Sequence, residues 1–390
     1  HTRTKQIKET NKYLNIDTGF IVFNNRNYPD LVKFFNLLDI ETSDSEMSFS
    51  ISIKKIDLEY GSNGFNSIFA KKKNIFSIFF WKLLIEIFKF YNQCKNHHQL
   101  INFRNYTLED FLKKYKYSSK LRHLHIYPMI AAIWSCNKND VKELPLISFI
   151  NFFNNHKLFN FKGRPQWKFV KGGSYNYVQT LINKNKFNHE TKKEVKRILR
   201  ENDVIKIIFN NDKEFIVDKV ILATHADQAL RLLECPTVDE LNILSQFKYT
   251  KNTAYLHSDL KMMPKNKNVW SSWNFIENES NQNTFSLTYW MNKLQNIDSI
   301  NNYFVSINPN TVPSKYYDKT VFEHPIFNLD TLEAQKNLSK IQGINNTYYC
   351  GSYFGYGFHE DGIQSSASVS KLLNVDLPWK REDNFYNRIY

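Results

Sequence analysis

The stretch from Tyr348 to Ser366 constrains this chain most, because an apolar segment is followed there by several glycines and then by a helix-like run. This order predicts a strand, a glycine-bearing turn and a helix. The first N–H groups of a helix have no partner within the helix and lie at the positive end of its dipole. We predict that Gly362, Ile363 and Gln364 occupy this position and face a phosphate or an electron-rich ring carbonyl.

A second junction of this kind lies upstream, between Asp218 and Asp227. Its unbroken apolar run, Val220 to Leu222, predicts a strand buried on both faces. The residues after it fit the start of another helix. Two strand-to-helix junctions in one chain indicate a nucleotide cofactor.

Further motifs accompany the two junctions across nearly the whole chain. They are Asp17 to Asn24, Met47 to Ser50, Trp134-Ser135, Asn155-His156, Val170 to Gly173, Ala223 to Asp227, Tyr289 to Asn292, Glu323 to Pro325 and Gly351 to Gly362. With these motifs the chain resembles the FAD-dependent oxidoreductases of the amine oxidase type, and among them a bacterial subgroup described as predicted NAD/FAD-binding proteins. The combination is far more specific than any single glycine pattern.

The resemblance implies an α/β fold in which a Rossmann-like FAD-binding domain is interleaved with an α+β substrate-binding domain. The FAD-binding domain would comprise residues 1–50, 165–252 and 343–376. The substrate-binding domain would comprise residues 51–164 and 253–342. No internal repeat or low-complexity linker separates them.

The chain departs from this family at its beginning. Such proteins open with a strand, a G-x-G-x-x-G turn over the cofactor pyrophosphate and an acidic residue about 20 positions later. This sequence starts at His1 and contains none of these features. We expect an N-terminally truncated chain that lacks the first βαβ unit, roughly 35 to 40 residues. Two neighbouring strands would then have unpaired edges, and the main pyrophosphate cradle would be missing.

Local patterns predict the other elements. Alternating or continuous apolar residues predict strands at 47–53, 195–199, 204–209, 215–222, 254–257, 285–291 and 303–307. Amphipathic spacing and start signals predict helices at 75–90, 107–114, 145–154, 175–182 and 331–341.

The resemblance implies FAD contacts in several segments, each with a plainer alternative. Gly172 and Gly173 would mark the return into the cofactor domain, although two glycines also suit an ordinary turn. Val195 would meet the adenine edge through its backbone, although a core strand residue is the default. Ala223 and Thr224 would line the adenosine side of the groove.

The flavin end of the same site involves two further segments. Thr18 and Gly19 would approach the flavin, since only glycine lets a backbone close on a flat ring. Gly351 ends the strand that delivers an acidic side chain to the ribityl hydroxyls in related flavoproteins, and here Ser352 follows with a hydroxyl that can still hydrogen-bond. Asp361 belongs to the same turn. The alternative is that this turn connects strand and helix without contacting a cofactor.

The catalytic candidates are less constrained. His359 and Glu360 precede the flavin-facing helix, where either could move a proton, or could hydrogen-bond the turn. Tyr289 and Trp290 belong to a group of aromatic residues that could line an apolar tunnel or simply form core. The full group is Trp270, Trp273, Tyr289, Trp290, Phe354, Tyr356 and Phe358. No active-site lysine can be assigned, although Lys293 is near in sequence.

Composition limits the other function classes. The chain has 390 residues, 42% hydrophobic and 16% aromatic content and a net charge of +14. Such a charge could attract nucleic acid or an anionic membrane, but lysine and asparagine are spread along the whole chain as in background codon bias. We therefore predict no nucleic-acid partner and leave peripheral membrane contact open.

Metal, disulfide and membrane-spanning signals are absent. The four cysteines are far apart, and neither His97-His98 nor His123 and His125 has a ligand partner at metal spacing. Charged residues interrupt the most apolar stretch, 75–90, before it reaches the ~20 residues that span a bilayer. We predict that the protein binds no metal and is cytoplasmic. Peripheral contact with the inner membrane is the alternative location. No G-x-S-x-G or Walker motif supports a hydrolase or a phosphotransferase.

The resemblance implies a flavin-dependent oxidoreductase that passes a hydride from a hydrophobic substrate to FAD. An unsaturated or cyclopropane fatty acyl chain is the candidate substrate, by analogy with family members. An amine or isoprenoid substrate is the alternative within the fold. A non-catalytic membrane-surface binding protein with a lost flavin site is the alternative from another class.

Overall fold

The computed structural model describes residues 1–95, 105–184, 187–201, 204–277, 285–381 and Arg388. Packing divides the chain into two units. Unit 1 comprises His1–Asn27, Ile40–Val178 and Thr250–His324, and unit 2 comprises Tyr28–Asp39, Gln179–Tyr249 and Pro325–Tyr390. The boundaries of these units differ from those of the two domains that the sequence suggests. The units are defined by packing, whereas the suggested domains are defined by contact with the cofactor or the substrate. The domain boundaries stay a prediction.

Seventeen strands are present in the described residues. They are β1 (Thr4–Glu9), β2 (Lys12–Asp17), β3 (Phe23–Asn24), β4 (Thr42–Ser45), β5 (Phe49–Ile53), β6 (Leu58–Gly61), β7 (Trp167–Val170), β8 (Val195–Glu201), β9 (Val204–Phe209), β10 (Glu214–Val217), β11 (Val220–Leu222), β12 (Lys248–His257), β13 (Trp273–Glu277), β14 (Phe285–Trp290), β15 (Phe304–Ile307), β16 (Tyr316–Ile326) and β17 (Thr347–Tyr349).

The same residues form fourteen α-helices. They are α1 (Pro29–Leu37), α2 (Phe65–Ile68), α3 (Ile78–Lys95), α4 (Leu108–Lys114), α5 (Ser119–Leu121), α6 (Tyr127–Trp134), α7 (Lys138–Glu143), α8 (Leu146–Asn155), α9 (Tyr175–Lys184), α10 (Ala226–Leu232), α11 (Val238–Leu244), α12 (Met291–Leu294), α13 (Leu329–Asn337) and α14 (His359–Leu372). Among these helices, none combines the length and the apolar character needed to cross a bilayer.

Most of unit 1 is organised around a seven-stranded sheet with the order β16-β12-β15-β14-β13-β5-β6. Neighbouring strands are antiparallel where their pairing is described, except β13 and β5, which run parallel. Buried residues of β12, β14 and β15 form its core, with Leu256, Leu287 and Val305 almost fully enclosed. The sequence pattern does not predict β6, β13 or β16 of this sheet.

A helical block follows the sheet edge in the chain. Helix α4 starts at the predicted capping box, in which Thr107 and Asp110 hydrogen-bond each other's backbone N–H groups. Helices α3 and α8 pack through phenylalanine rings, with Phe90 6.0 Å from Phe149 and 6.3 Å from Phe111. The structure thus confirms the helices predicted at 75–90, 107–114 and 145–154, and their packing makes an apolar helical block.

Unit 2 holds a three-stranded antiparallel sheet, β10-β9-β8, and the parallel pair β11-β17. The prediction of one strand over 215–222 is wrong, because the chain leaves the antiparallel sheet at Asp218-Lys219 and β11 then pairs with β17. The prediction that β11 is buried on both faces is also wrong. Val220 and Leu222 are buried but Ile221, which points to the opposite side, is exposed.

One buried ion pair ties unit 2 together. The carboxylate of Glu240 on α11 accepts hydrogen bonds from Arg200 on β8 and from the Tyr349 hydroxyl on β17, the latter at 2.6 Å. Burial alone would raise the pKa of Glu240, but the hydrogen bonds from Arg200 and Tyr349 hold it below its usual value. The group therefore stays ionised, and it fixes both sheets of unit 2 to one helix.

Replacing this carboxylate should strongly destabilise unit 2. Glu240→Ala would leave the Arg200 guanidinium buried without its counter-charge, which costs about 3–5 kcal/mol of unfolding free energy. The matched control is Arg197→Ala on the same strand, whose exposed pair with Glu234 should be worth less than about 1 kcal/mol. Urea unfolding measures both variants. Equal losses would contradict this assignment.

Candidate functional site

The candidate site lies at the carboxyl ends of β11 and β17 in unit 2. The two strands run parallel with Val220 opposite Thr347 and Leu222 opposite Tyr349. The Cys350 N–H extends the pairing to the Leu222 carbonyl at 3.1 Å. Because parallel strands end at one edge of a sheet, the connections that follow them share this edge, which is where open α/β sheets bind ligands.

The two connections approach each other at Gly351. A Cβ at this position would lie 2.7 Å from the Tyr353 ring and 3.3 Å from the Thr224 carbonyl oxygen. The Gly351 N–H donates to the Ser365 hydroxyl at 2.9 Å, and this hydroxyl is also 2.8 Å from the Gly362 carbonyl. The structure thus brings Ala223, Thr224, Gly351 and α14 together, as the sequence predicts.

Helix α14 begins earlier than the sequence suggests. It starts at His359, and the Gly362 N–H already donates to the Phe358 carbonyl at 3.3 Å. The prediction that Gly362, Ile363 and Gln364 present unpartnered N–H groups is therefore wrong. The first turn forms upstream because the Asp361 carboxylate accepts the Phe358 N–H at 2.7 Å and so caps the helix.

Gly362 has open space in front of it. A Cβ there would meet only the Ser352 backbone nitrogen, at 4.0 Å. Glycine within a helix costs about 1 kcal/mol relative to alanine, and nothing in the described chain needs its small size. Among the described residues, the space in front of Gly362 is therefore open, next to the Ser352 backbone nitrogen.

Asp361 is held by a residue that the sequence analysis did not single out. It is fully buried and forms an ion pair with Arg388, whose Nε lies 3.0 Å from a carboxylate oxygen. The Arg388 guanidinium also lies 5.4–5.9 Å from the rings of Tyr28, Tyr356 and Phe358. No local pattern marks Arg388, because this pair joins positions that are far apart in sequence.

The Glu360 side chain reaches the start of a second helix, α1. Its carboxylate accepts the N–H groups of Asp30 and Leu31 at 3.1 and 3.0 Å, and the Gln364 amide donates to it at 2.9 Å. Burial raises its pKa to about 7. These contacts support the structural alternative for Glu360, as the cap of α1, and its proton transfer stays a prediction.

His359 precedes Glu360 in the first turn of α14. Burial lowers its pKa to about 3, so its imidazole is neutral at physiological pH. A neutral imidazole donates a hydrogen bond through one ring nitrogen and accepts one through the other, but carries no charge towards a ligand. Its catalytic role stays a prediction.

Four predicted cofactor contacts lie in unit 1. The Thr18 hydroxyl accepts from Arg3 at 3.0 Å, and a Cβ on Gly19 would lie 2.1 Å from the His1 carbonyl oxygen. The close approach expected at Gly19 is therefore made by the chain itself. Gly172 and Gly173 have φ of 75° and 96°, which glycine adopts freely, so they satisfy the ordinary-turn alternative.

Asp17, beside these residues, was missed as a candidate. It is fully buried, accepts the Ser174 N–H at 2.9 Å and the Gln295 amide at 2.9 Å, and burial raises its pKa to about 6. In the sequence, Asp17 is only an acidic residue at the end of a strand. Such residues are common at turns, so the pattern does not indicate a functional role. Its partners are 157 and 278 positions away in sequence.

Val195 and the remaining helix residues are placed in unit 2. Val195 begins β8 and pairs with Phe209, next to a register shift at Arg197. Gln364 is buried and accepts the Arg388 N–H at 2.8 Å, whereas Ile363 is half-buried. No described contact tests their predicted role in cofactor binding.

The four aromatic candidates of unit 1 pack in two pairs. Tyr289 and Trp290 are neighbours on β14 and so point to opposite faces of the sheet. Tyr289 packs edge-on against Trp273 at 5.0 Å, and Trp290 packs against Trp270 at 5.4 Å. At most one of the two catalytic candidates can face a given ligand. Lys293 follows them and is ion-paired with Glu46 at 3.0 Å.

The histidine candidates do not indicate a metal site. The part of the chain that the structure describes contains no group of three His, Cys, Asp or Glu side chains able to hold a metal. His125 is buried with the hydroxyls of Tyr60 and Tyr91 3.0 and 2.8 Å from its ring nitrogens, and burial lowers its pKa to about 3. His97 and His98 lie outside the described residues.

Solved structures with this architecture are numerous, although no family model and no curated protein matches the sequence. A CLA-producing fatty acid isomerase from P. acnes has a TM-score of 0.65 at 11% identity, over 95% of this chain and 89% of its own. Putrescine oxidase bound to putrescine has a TM-score of 0.63 at 11% identity, over 96% and 91%. Cyclohexylamine oxidase from Brevibacterium oxydans has a TM-score of 0.61 at 11% identity, over the same shares. This likeness shows the fold and confirms the fold class expected from the sequence.

Two glycines of the site should respond in opposite ways to the same substitution. Gly351→Ala should cost about 1–3 kcal/mol of unfolding free energy, because the added methyl overlaps the Tyr353 ring. Gly362→Ala should be neutral or stabilise by up to ~1 kcal/mol, since it meets open space within a helix. Urea unfolding of both variants distinguishes them. A similar loss at both positions would show that the space at Gly362 is not open.

Glu360 should make stability depend on pH in a defined direction. Its pKa rises from 4.5 to about 7 on folding, so its contribution is complete below pH 4.5 and is lost as pH rises through 7. The shift corresponds to about 3 kcal/mol. Unfolding free energies at several pH values should therefore fall more steeply with pH in the wild type than in Glu360→Gln. Parallel curves would contradict the shift.

Proposed function

We propose that the chain is a flavin-dependent oxidoreductase that passes a hydride from a hydrophobic substrate to FAD. The flavin ring would lie at the shared edge of β11 and β17, against the first turns of α14. The observation that carries this proposal is the open space at Gly362, on a helix that starts at a ligand-binding edge of a parallel sheet. The fold shared with several oxidases supports it.

The residues around the start of α14 fit a bound FAD. Gly362 offers backbone with open space in front of it, and Ser352 would offer a hydroxyl that can hydrogen-bond a ribityl group. The N-terminal turns of α14 supply the positive end of a helix dipole, which favours an electron-rich ring carbonyl. FAD, when bound, supplies the hydride-accepting chemistry.

The residues around the helix start would orient this group rather than react. The pair between Asp361 and Arg388 and the cap formed by Glu360 fix the first turn of α14, so Gly362 keeps its position. Phe354 and Tyr356, in the turn before α14, are buried and would exclude water from the turn. His359 and Glu360 stay the proton-transfer candidates; with its pKa lowered to about 3 by burial, His359 would hydrogen-bond a substrate more readily than take up its proton.

For the substrate we favour an unsaturated or cyclopropane fatty acyl chain. The apolar helical block of unit 1 and the similar fold of a fatty acid isomerase support this choice. An amine is the second candidate, supported by the similar folds of putrescine oxidase and cyclohexylamine oxidase. An isoprenoid stays the third.

Titration with FAD tests the proposed cofactor. The wild-type chain should bind FAD and perturb its visible spectrum, and Gly362→Ala should weaken binding by at least about tenfold, because its methyl group fills the space left for the ring. Ser370→Ala, two turns along the same helix, is the matched control and should bind like the wild type. Urea unfolding of both variants shows that the helix is intact.

Two results would overturn this proposal. One is a folded wild-type chain that leaves the FAD spectrum unchanged, and the other is Gly362→Ala binding as well as Ser370→Ala. With FAD bound, anaerobic bleaching by an unsaturated fatty acid but not by putrescine or cyclohexylamine supports the acyl substrate. The reverse pattern assigns the amine.

A further inference from the structure

Helix α3 has an apolar outer face. Four apolar side chains on it are exposed by 43–73%, at spacings of three, four and three residues, which places them on one side of a helix. They are Ile78, Trp81, Ile85 and Phe88. The opposite side, with Phe80, Leu83, Ile87 and Phe90, is buried in unit 1. A helix that is apolar on both sides needs a partner on each side.

Neighbouring rings enlarge this surface. Phe65 packs on Phe69 at 4.7 Å and Phe69 on Trp81 at 5.2 Å, while Phe88 stacks on Phe161 at 6.2 Å. Together with Phe76, the exposed members form what we call the α3 face. It consists of Phe65, Phe76, Ile78, Trp81, Ile85, Phe88 and Phe161. Contiguous apolar surfaces of this kind are rare on monomeric proteins and mark interaction sites.

Positive charge borders the α3 face. Lys82 and Lys89 are exposed along one side of the stripe, and no described carboxylate pairs with them. Glu86 is the acidic residue of α3, and its carboxylate accepts hydrogen bonds from the Ser118 N–H and hydroxyl at 2.6 and 2.5 Å. Lys162 and Arg164 are exposed next to Phe161. Lys71 and Lys73 do not add to this border, since both pair with Asp57.

We propose that the α3 face docks on the surface of an anionic phospholipid bilayer. Aromatic and aliphatic side chains flanked by lysine are the composition of helices that lie in the membrane interface, and tryptophan favours this depth. The helix has 18 residues and is about 27 Å long, and it would lie along the surface rather than across it.

The charge pattern favours lipid over a second copy of the chain. A symmetric dimer buries the same patch of both subunits, and the α3 face contains no carboxylate that could neutralise Lys82 and Lys89 of the other copy. Anionic headgroups would instead neutralise these lysines while the rings enter the acyl boundary. This inference does not depend on the proposed flavin chemistry.

Vesicle flotation tests the proposal with the full chain. Phosphatidylcholine vesicles containing phosphatidylglycerol should bind the protein, pure phosphatidylcholine should bind it less, and salt should weaken the difference. Ile85→Ser with Phe88→Ser, and separately Lys82→Glu with Lys89→Glu, should each lower partitioning by at least about tenfold. Phe215→Ser with Ile216→Ser, and Lys213→Glu with Lys219→Glu, are matched controls on exposed positions of unit 2 and should bind like the wild type.

Circular dichroism and urea unfolding confirm that each variant is folded. The proposal is overturned if the wild type does not float with phosphatidylglycerol vesicles, or if the control pairs lose as much binding as the α3 pairs. Analytical ultracentrifugation tests whether a second copy of the chain occupies the α3 face instead of lipid. A wild-type dimer that becomes a monomer with the Ile85 and Phe88 substitutions would assign the α3 face to a second copy instead.

Discussion

The parallel pairing of β11 with β17 is the interaction on which the candidate site depends. These strands are short and lie more than a hundred residues apart in the chain, and each is followed by a turn and a helix. Pairing in one direction places both turns at the same edge, where Gly351 lets the backbones come within contact distance. An antiparallel pair would put the two turns at opposite ends, and no common site would form.

Buried carboxyl groups hold the elements around this edge. Glu240 joins β8, β17 and α11, Glu360 caps α1, and Asp361 pairs with Arg388. A buried charge is costly unless its oxygens are all hydrogen-bonded, so such groups fix the backbone in one arrangement. Two residues that sequence suggested for cofactor binding or catalysis, Asp361 and Glu360, therefore act on the shape of the site in this structure.

The sequence predicts the architecture of this edge better than its details. The apolar run at Val220 and the glycines after Tyr349 are local signals, and they correctly indicate two strand-to-helix junctions. The helix start was placed three residues late, since the cap formed by Asp361 competes with the glycine signal. The roles of Asp17 and Arg388 depend on partners from distant segments, which no local pattern records.

A crystal structure of this chain with FAD tests the central claim most directly. The account predicts that β11 and β17 are paired in parallel and that the flavin ring lies against the Cα of Gly362, beside Ser352. Flavin density at another surface, or β11 and β17 in separate sheets, would contradict it.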